Sequence, residues 1–407
     1  MPDLSIPPDQ EKRVVRALDL RLLVILCLFY FTDFLDRVSI GSAKVEGLPE
    51  DLNATVQTGV AVSAFYITYI TLEIPSNLLL KRFNASLWLS GCLFSWGIIT
   101  LCTAFVTNFA GILAVRLLLG VAQSGYIPGV IYLISKHYKV EETGVRIACI
   151  NATAFAAGIL SGPIAYGSML LDGAHGLHGW QYLFLIEGAF TAAVGLISYW
   201  WLFDDIQRVK WLTDDQKHWQ KIRMQRDVGD SKSVALSDIR IALFDWKTYA
   251  MAFMYLTNAV VLTSLLVFAP TVIDGFGFSR LTSLILPAAP NASGFVMALL
   301  GGYLVDRYGC RELIIMTGFF LTALGCTLLL VLVDAWSQYG CLFLCLAGVG
   351  FQSPAIFGWP GQIFCHLTQR AVSIGAILTL GGCGSVIASF LFPATDEPRY
   401  CKSRRLS

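Results

Sequence analysis

Long apolar runs broken by short polar stretches set the pattern of this chain. Runs long enough to cross about 30 Å of hydrocarbon recur near 22–43, 57–80, 87–107, 110–134, 146–171, 180–203, 246–273, 282–305, 312–333, 338–364 and 370–393. They are continuous rather than alternating, which excludes a closed barrel, and helices are the other structure that satisfies its own backbone in lipid. The pattern predicts an all-α polytopic membrane protein of six spans, a polar stretch and five more. The expected organisation is a tail over 1–21, a six-helix bundle over 22–203, a central loop over 204–245, a second bundle over 246–393 and a tail over 394–407. Within the central loop, 211–226 reads either as a helix lying on the membrane surface or as a solvated linker.

Composition narrows this further. Apolar residues make up 56% of the 407 positions and charged ones 14%, too little polar surface to keep a monomer in water. Formal net charge is +1, so no nucleic-acid partner is expected, and the distribution of charge is what informs. Basic residues (Lys12, Arg13, Arg16, Arg21; Lys81, Arg82; Lys136, Lys139, Arg146; Arg307, Arg311) fall in alternate connections, and Glu46, Glu50 and Asp51 in one between them. By the positive-inside rule the N-terminus is cytosolic. No cleavable signal is apparent, because the first apolar run continues into Asp33, Asp36 and Arg37 without a small-residue cleavage site. Eleven cysteines show no pairing pattern, and no metal or cofactor motif stands out. Asn53-Ala54-Thr55 is a glycosylation sequon in a connection expected outside.

Between the eighth and ninth runs lies Gly302-Tyr303-Leu304-Val305-Asp306-Arg307-Tyr308-Gly309-Cys310-Arg311. Its spacing, G-x-x-x-D-R-x-G-x-R between two spans, resembles the signature of the major facilitator superfamily. Phe34-Leu35-Asp36-Arg37 with Ile40-Gly41, Glu73-Ile74-Pro75-Ser76-Asn77, and Arg116-Leu117-Leu118-Leu119-Gly120 with Gly125 and Pro128-Gly129 look like the fungal allantoate permease-type transporters of the anion:cation symporter branch. The resemblance implies two six-helix halves with a midplane substrate site. It also implies a single working copy in the plasma membrane that imports an organic anion such as nicotinate, pantothenate or allantoate with protons. No enzyme activity is expected. The second half is one helix short of that pattern, and an odd number of spans would strand the basic tail outside. Cys401-Lys402-Ser403 can be encoded by codons containing GTAAGT, a common intron donor, so the last seven residues are read as intron read-through and the twelfth helix as lost. A truncated, non-transporting or sensor-type protein is the rival reading, and a metabolite exporter another.

Charges within the spans carry the chemistry. A charge at the bilayer centre costs about 2.5–3.5 kcal/mol on insertion scales. Asp33 and Arg37 are four apart, on one face, so they form either an intramembrane ion pair or a site in which Arg37 grips a carboxylate. In the branch, the Asp matching Asp36 is linked to protonation and the Arg matching Arg37 to the substrate anion. Many members have Glu where this chain has Gln123, which cannot exchange a proton, and Asn where it has Asp33. The titratable site is therefore expected at Asp33 and Asp36. Gln123, Asn258 and Trp359 are expected to line the cavity, the indole suiting a planar acid. Asp306, Arg307 and Arg311, with Gly302 and Gly309, form the expected cytosolic latch, both arginines clasping Asp306. Glu73 and Arg116 complete the gating set, and His137 is expected to be solvated.

Overall fold

The computed structural model describes residues 8–52, 58–80, 84–139, 142–225, 244–364 and 367–391. The sequon at Asn53, the loop residues 226–243 and the tail beyond 391 lie outside the described residues.

Among the described residues the secondary structure is helical, without strands. A short amphipathic helix, α1 (Pro8–Leu18), buries Val14 and Leu18 and runs through a π-helical turn (Asp19–Leu23) into α2 (Val24–Val45). Then follow α3 (Leu48–Asp51), α4 (Thr58–Leu80), α5 (Ala85–Thr103), α6 (Phe109–Gln123), α7 (Tyr126–His137), α8 (Thr143–Met169) and α9 (Gly179–Trp201). Past the central loop come α10 (Asp214–Gln225), α11 (Trp246–Val267), α12 (Ala269–Asp274), α13 (Arg280–Ile285), α14 (Ala288–Tyr308), α15 (Arg311–Val331), α16 (Ala335–Gly358), α17 (Pro360–Ile363) and α18 (Leu367–Phe390). Helices occupy every apolar run of the sequence. Among the described residues, eight stretches are long and apolar enough to cross a membrane by length and composition, with shorter apolar helices at Gly59–Glu73 and Phe109–Gln123. The helix α2 falls outside that set because Asp33, Asp36, Arg37 and Lys44 interrupt it.

Local chemistry sets the breaks. The Asn108 side chain accepts from Gly111 N at 2.8 Å and that of Asp334 from Ser337 N at 3.0 Å, so each caps the helix that follows. Gly309 ends α14 with φ +67°, a left-handed conformation that glycine adopts freely.

Helices before residue 204 pack mainly on one another (α2 on α8, α4 on α6, α5 on α9), as do α11 on α18 and α14 and α15 on α16. The two groups meet where α8 lies on α14, α4 on α18, and α2 on α11 and α12. Small residues permit that meeting. A Cβ on Gly162 would lie 2.3 Å from Leu284 O, and one on Gly302 would lie 2.4 Å from the Ala148 Cβ.

The stretch expected as a surface helix or a solvated linker is helical over Asp214–Gln225 and docks one face onto the ends of α7 and α8. Arg223 of α10 is 1% exposed and pairs with Glu142, while Gln220 Nε2 donates to His137 O at 2.8 Å. That docking buries His137 as well, against the solvated position expected for it. Its Nδ1 lies 2.9 Å from Leu133 O, and burial pushes its pKa down to about 4.

Candidate functional site

Residues Asp33 and Arg37 stand one turn apart on α2, and Arg37 Nη2 donates to Asp33 Oδ1 at 2.9 Å. Their side chains are 1% and 13% exposed, so this is a buried pair rather than a surface one. Four rings surround the guanidinium: Phe34 from α2, and Phe65, Tyr66 and Tyr69 from α4, with centroids 5.0 to 5.7 Å from Cζ. At that range the ring faces attract a cation. Arg37 Nε and Asp33 Oδ2 are buried without hydrogen-bond partners.

These groups wall a cavity of 60 Å³ between the two helical groups. Tyr30, Asp33 and Arg37 come from α2, Tyr69 and Glu73 from α4, Tyr255 from α11, Phe357 from α16 and Ser385 from α18. One water needs about 10–15 Å³ of such space, so the cavity is contracted to the size of a few waters. A second cavity, of 100 Å³, shares Tyr30, Ile127, Tyr255, Phe357 and Leu378 with it and continues along Ile131, Ile134 and Ile147. Its lining is apolar apart from Tyr30, Tyr255 and Asn151, so a charged solute would find its polar partners at Arg37. A larger 680 Å³ hollow on the flank of α4, α5 and α6, lined by Leu72, Pro75, Leu87 and Trp88, contains no charged residue.

The residues expected at the cavity do not all meet there. Glu73, 7% exposed, shares the cavity with Arg37. Asp36 does not: residues one apart on a helix diverge by about 100°, and Asp36 turns into the first helical group, where Arg116 of α6 and Thr100 of α5 are its polar neighbours. Both Asp36 oxygens lack hydrogen-bond partners. Arg116 lies here, 4% exposed, 5.8 Å over the Phe184 ring and two turns inside α6. Gln123 is fully buried, with neither side-chain polar atom bonded, and lines neither cavity. Asn258 also lies away from them: its Oδ1 accepts from Gln352 Nε2 at 3.0 Å, within the second helical group. Trp359 packs beside Met251, Ala252 and Phe364.

The residues expected to form a latch lie apart from the cavity. Asp306 reaches from α14 to the start of α8, where its Oδ1 lies 2.5 Å from the position of a Cβ on Gly144 and it accepts from the Val145 backbone. A carboxylate there meets the positive end of the α8 dipole. Arg311 is the opposite charge that acts on it most strongly, ahead of Arg146. Arg307 does not clasp Asp306; its Nη1 donates to Tyr303 Oη at 2.7 Å, one turn back on the exposed face of α14.

Glu187 was missed from sequence. It is 1% exposed on α9 and pairs with Ser39 of α2, in the electrostatic reach of Asp36 and Arg116. The available signal was a single acid in the middle of an apolar run.

Geometry of this kind defines a polytopic helical protein with a charged cavity between two helical groups. The major facilitator superfamily profile matches residues 26–389. A transporter of Penicillium expansum, cnsO, is 32% identical over 406 residues, covering 96% of this chain and 78% of its own. A major facilitator-type transporter of Emericella nidulans, hxnP, is 30% identical over 411 residues, covering 98% and 82%. A putative tartrate transporter of Agrobacterium vitis is 30% identical over 380 residues, covering 93% and 87%. Among solved structures, the partially occluded inward-open xylose transporter XylE of E. coli aligns with a TM-score of 0.72 at 14% identity, over 96% of this chain and 95% of its own. The chain belongs to the major facilitator superfamily. It is a multi-pass membrane protein whose relatives are named as transporters.

Proposed function

We propose that the chain imports a small organic anion with protons, by alternating access of the bundles over 22–203 and 246–393 around the Arg37 cavity. The observation that carries this is a buried guanidinium, ringed by aromatics and paired to one aspartate, in a cavity between the two bundles. An arginine fork matches a carboxylate in two-point geometry. An incoming carboxylate competes with Asp33 for Arg37, and protonation of Asp33 releases the arginine to bind it. Proton and anion uptake are thereby coupled, with Asp36 as the second titratable group. Supporting the substrate class, the tartrate transporter relative is named for a dicarboxylate. The resemblance to allantoate permease-type transporters favours small carboxylates such as nicotinate, pantothenate or allantoate, carried by one copy in the plasma membrane with its N-terminus in the cytosol. Asp306 and Arg311, with Gly302 and Gly309, act as the cytosolic latch.

A screen of labelled tartrate, nicotinate, pantothenate and allantoate in proteoliposomes under an inward proton gradient tests this. Accumulation of one of them, abolished by Arg37→Ala and by a protonophore, is expected. Accumulation indifferent to both would refute the reading.

A further inference from the structure

We infer that one stripe of α2 is a proton path inside the first bundle, running from Glu46 through Glu187 to Asp36 and separate from the anion cavity at Arg37. Asp36, Ser39, Ser42 and Glu46 follow one another at intervals of three, three and four, so they share one helix face. Ten residues of helix span about 15 Å, half the hydrocarbon thickness. The stripe therefore links mid-membrane to the membrane face opposite the N-terminus. Asp33 and Arg37 lie on the other side of the same helix, in the cavity.

Four of these side chains are closed off from solvent, and several polar atoms along the stripe lack partners. Asp36, Ser39, Ser42 and Glu187 are at most 3% exposed. Both Asp36 oxygens, Ser42 Oγ, Glu187 Oε1 and the hydroxyls of Thr100 and Thr191 are buried without hydrogen-bond partners. The contacts of Ser39 fit a proton on Glu187, which the proposed path requires. Its Oγ lies 2.6 Å from Leu35 O and also within hydrogen-bond distance of Glu187 Oε2. One hydroxyl proton cannot serve both acceptors. Both contacts are satisfied when Glu187 holds a proton and donates to Ser39, which donates to Leu35. Glu187 is faced by Asp36 and Glu46 from α2 and Arg116 from α6. Asp36 is faced by Arg116 and Thr100, with Asp33 and Arg37 on its own helix. At the open end, Glu46 is faced by Ser168 of α8, whose Oγ lies 3.4 Å from Oε1, and by Asp172. Burial pushes the Glu46 pKa up to about 8, which suits a group that picks up protons near neutrality.

In the transfer, a hydronium ion gives its proton to the Glu46 carboxylate and leaves as water. The proton held by Glu187 passes to Asp36, neutralising it and freeing Arg116, and Glu187 is reloaded from Glu46. The inference rests on the proton coupling proposed above for its purpose, but its test needs no substrate.

Infrared spectra of the purified full chain in nanodiscs, in H₂O and D₂O, provide that test. The wild type minus Glu187→Gln difference should contain one protonated-carboxyl C=O band. In Glu46→Gln its deuterium shift should develop about tenfold more slowly or worse. Should Glu187→Gln fail to fold, Ser39→Ala should move the same band. Absence of the band, or exchange at the wild-type rate in Glu46→Gln, overturns the path. Transport that ignores pH gradients would instead remove the coupling reading and leave the band in place.

Discussion

Replacing Arg37 by alanine separates the two roles open to the Asp33–Arg37 pair. The side chains are 13% and 1% exposed and joined at 2.9 Å, so truncating the arginine strands a buried carboxylate. Breaking a buried pair by removing one partner costs about 3–5 kcal/mol, because the remaining charge is uncompensated. The rings of Phe34, Phe65, Tyr66 and Tyr69 also lose their cation, at about 0.5–2 kcal/mol for a desolvated contact. Adding Asp33→Asn to Arg37→Ala removes the stranded charge and should recover most of the first loss. The assay is thermal unfolding of detergent-purified protein for wild type, both single variants and the double variant, beside uptake by each in liposomes. Stability should fall sharply in Arg37→Ala and return in the double variant, whereas uptake should be lost in both. A double variant that transports like wild type would make the pair a structural tie and refute the anion-binding role of Arg37.

Three further outcomes follow from particular contacts. Gly302→Ala brings a Cβ to 2.4 Å from that of Ala148, forcing α14 away from α8; transport should drop, and Ala148→Gly should restore it. Glu46 titrates near 8 when folded and near 4.5 when unfolded, so the folded state binds the extra proton between those values. Its contribution to stability therefore declines as pH rises from about 4.5 through 8, and unfolding midpoints of Glu46→Gln should lose that part of the pH slope. Gln123 is buried with its amide unbonded, so Gln123→Leu should leave the unfolding midpoint within a few degrees of wild type, and a large loss would reveal a partner.

Much of the fold was legible because lipid leaves the backbone few choices: every apolar run became helix. The turn at Gly309 was equally readable, since its spacing needs a left-handed residue just past a helix end. The latch was half readable. Arg311 faces Asp306, but Asp306 also reaches α8, which no local spacing announced, and Arg307 is turned about 100° from it around the helix and lies on Tyr303. Cavity membership was the least legible. Tyr66, Tyr69, Tyr255 and Phe357 gather around Arg37 from helices far apart in sequence, and no local spacing encodes that meeting. For the same reason Asn258 and Gln123, polar groups in apolar runs, were assigned to the cavity when their helices turn them into bundle interiors.

The central claim is that Arg37 holds a carboxylate, and ligand-induced stabilisation of purified protein measures it most directly. At a hundred times its dissociation constant a ligand adds about 2.7 kcal/mol to stability. A carboxylate from the tartrate, nicotinate, pantothenate and allantoate panel should raise the unfolding midpoint of the wild type. It should do so far less in Arg37→Lys, which keeps the charge and loses the fork. Equal stabilisation of both proteins by every effective carboxylate would contradict the account.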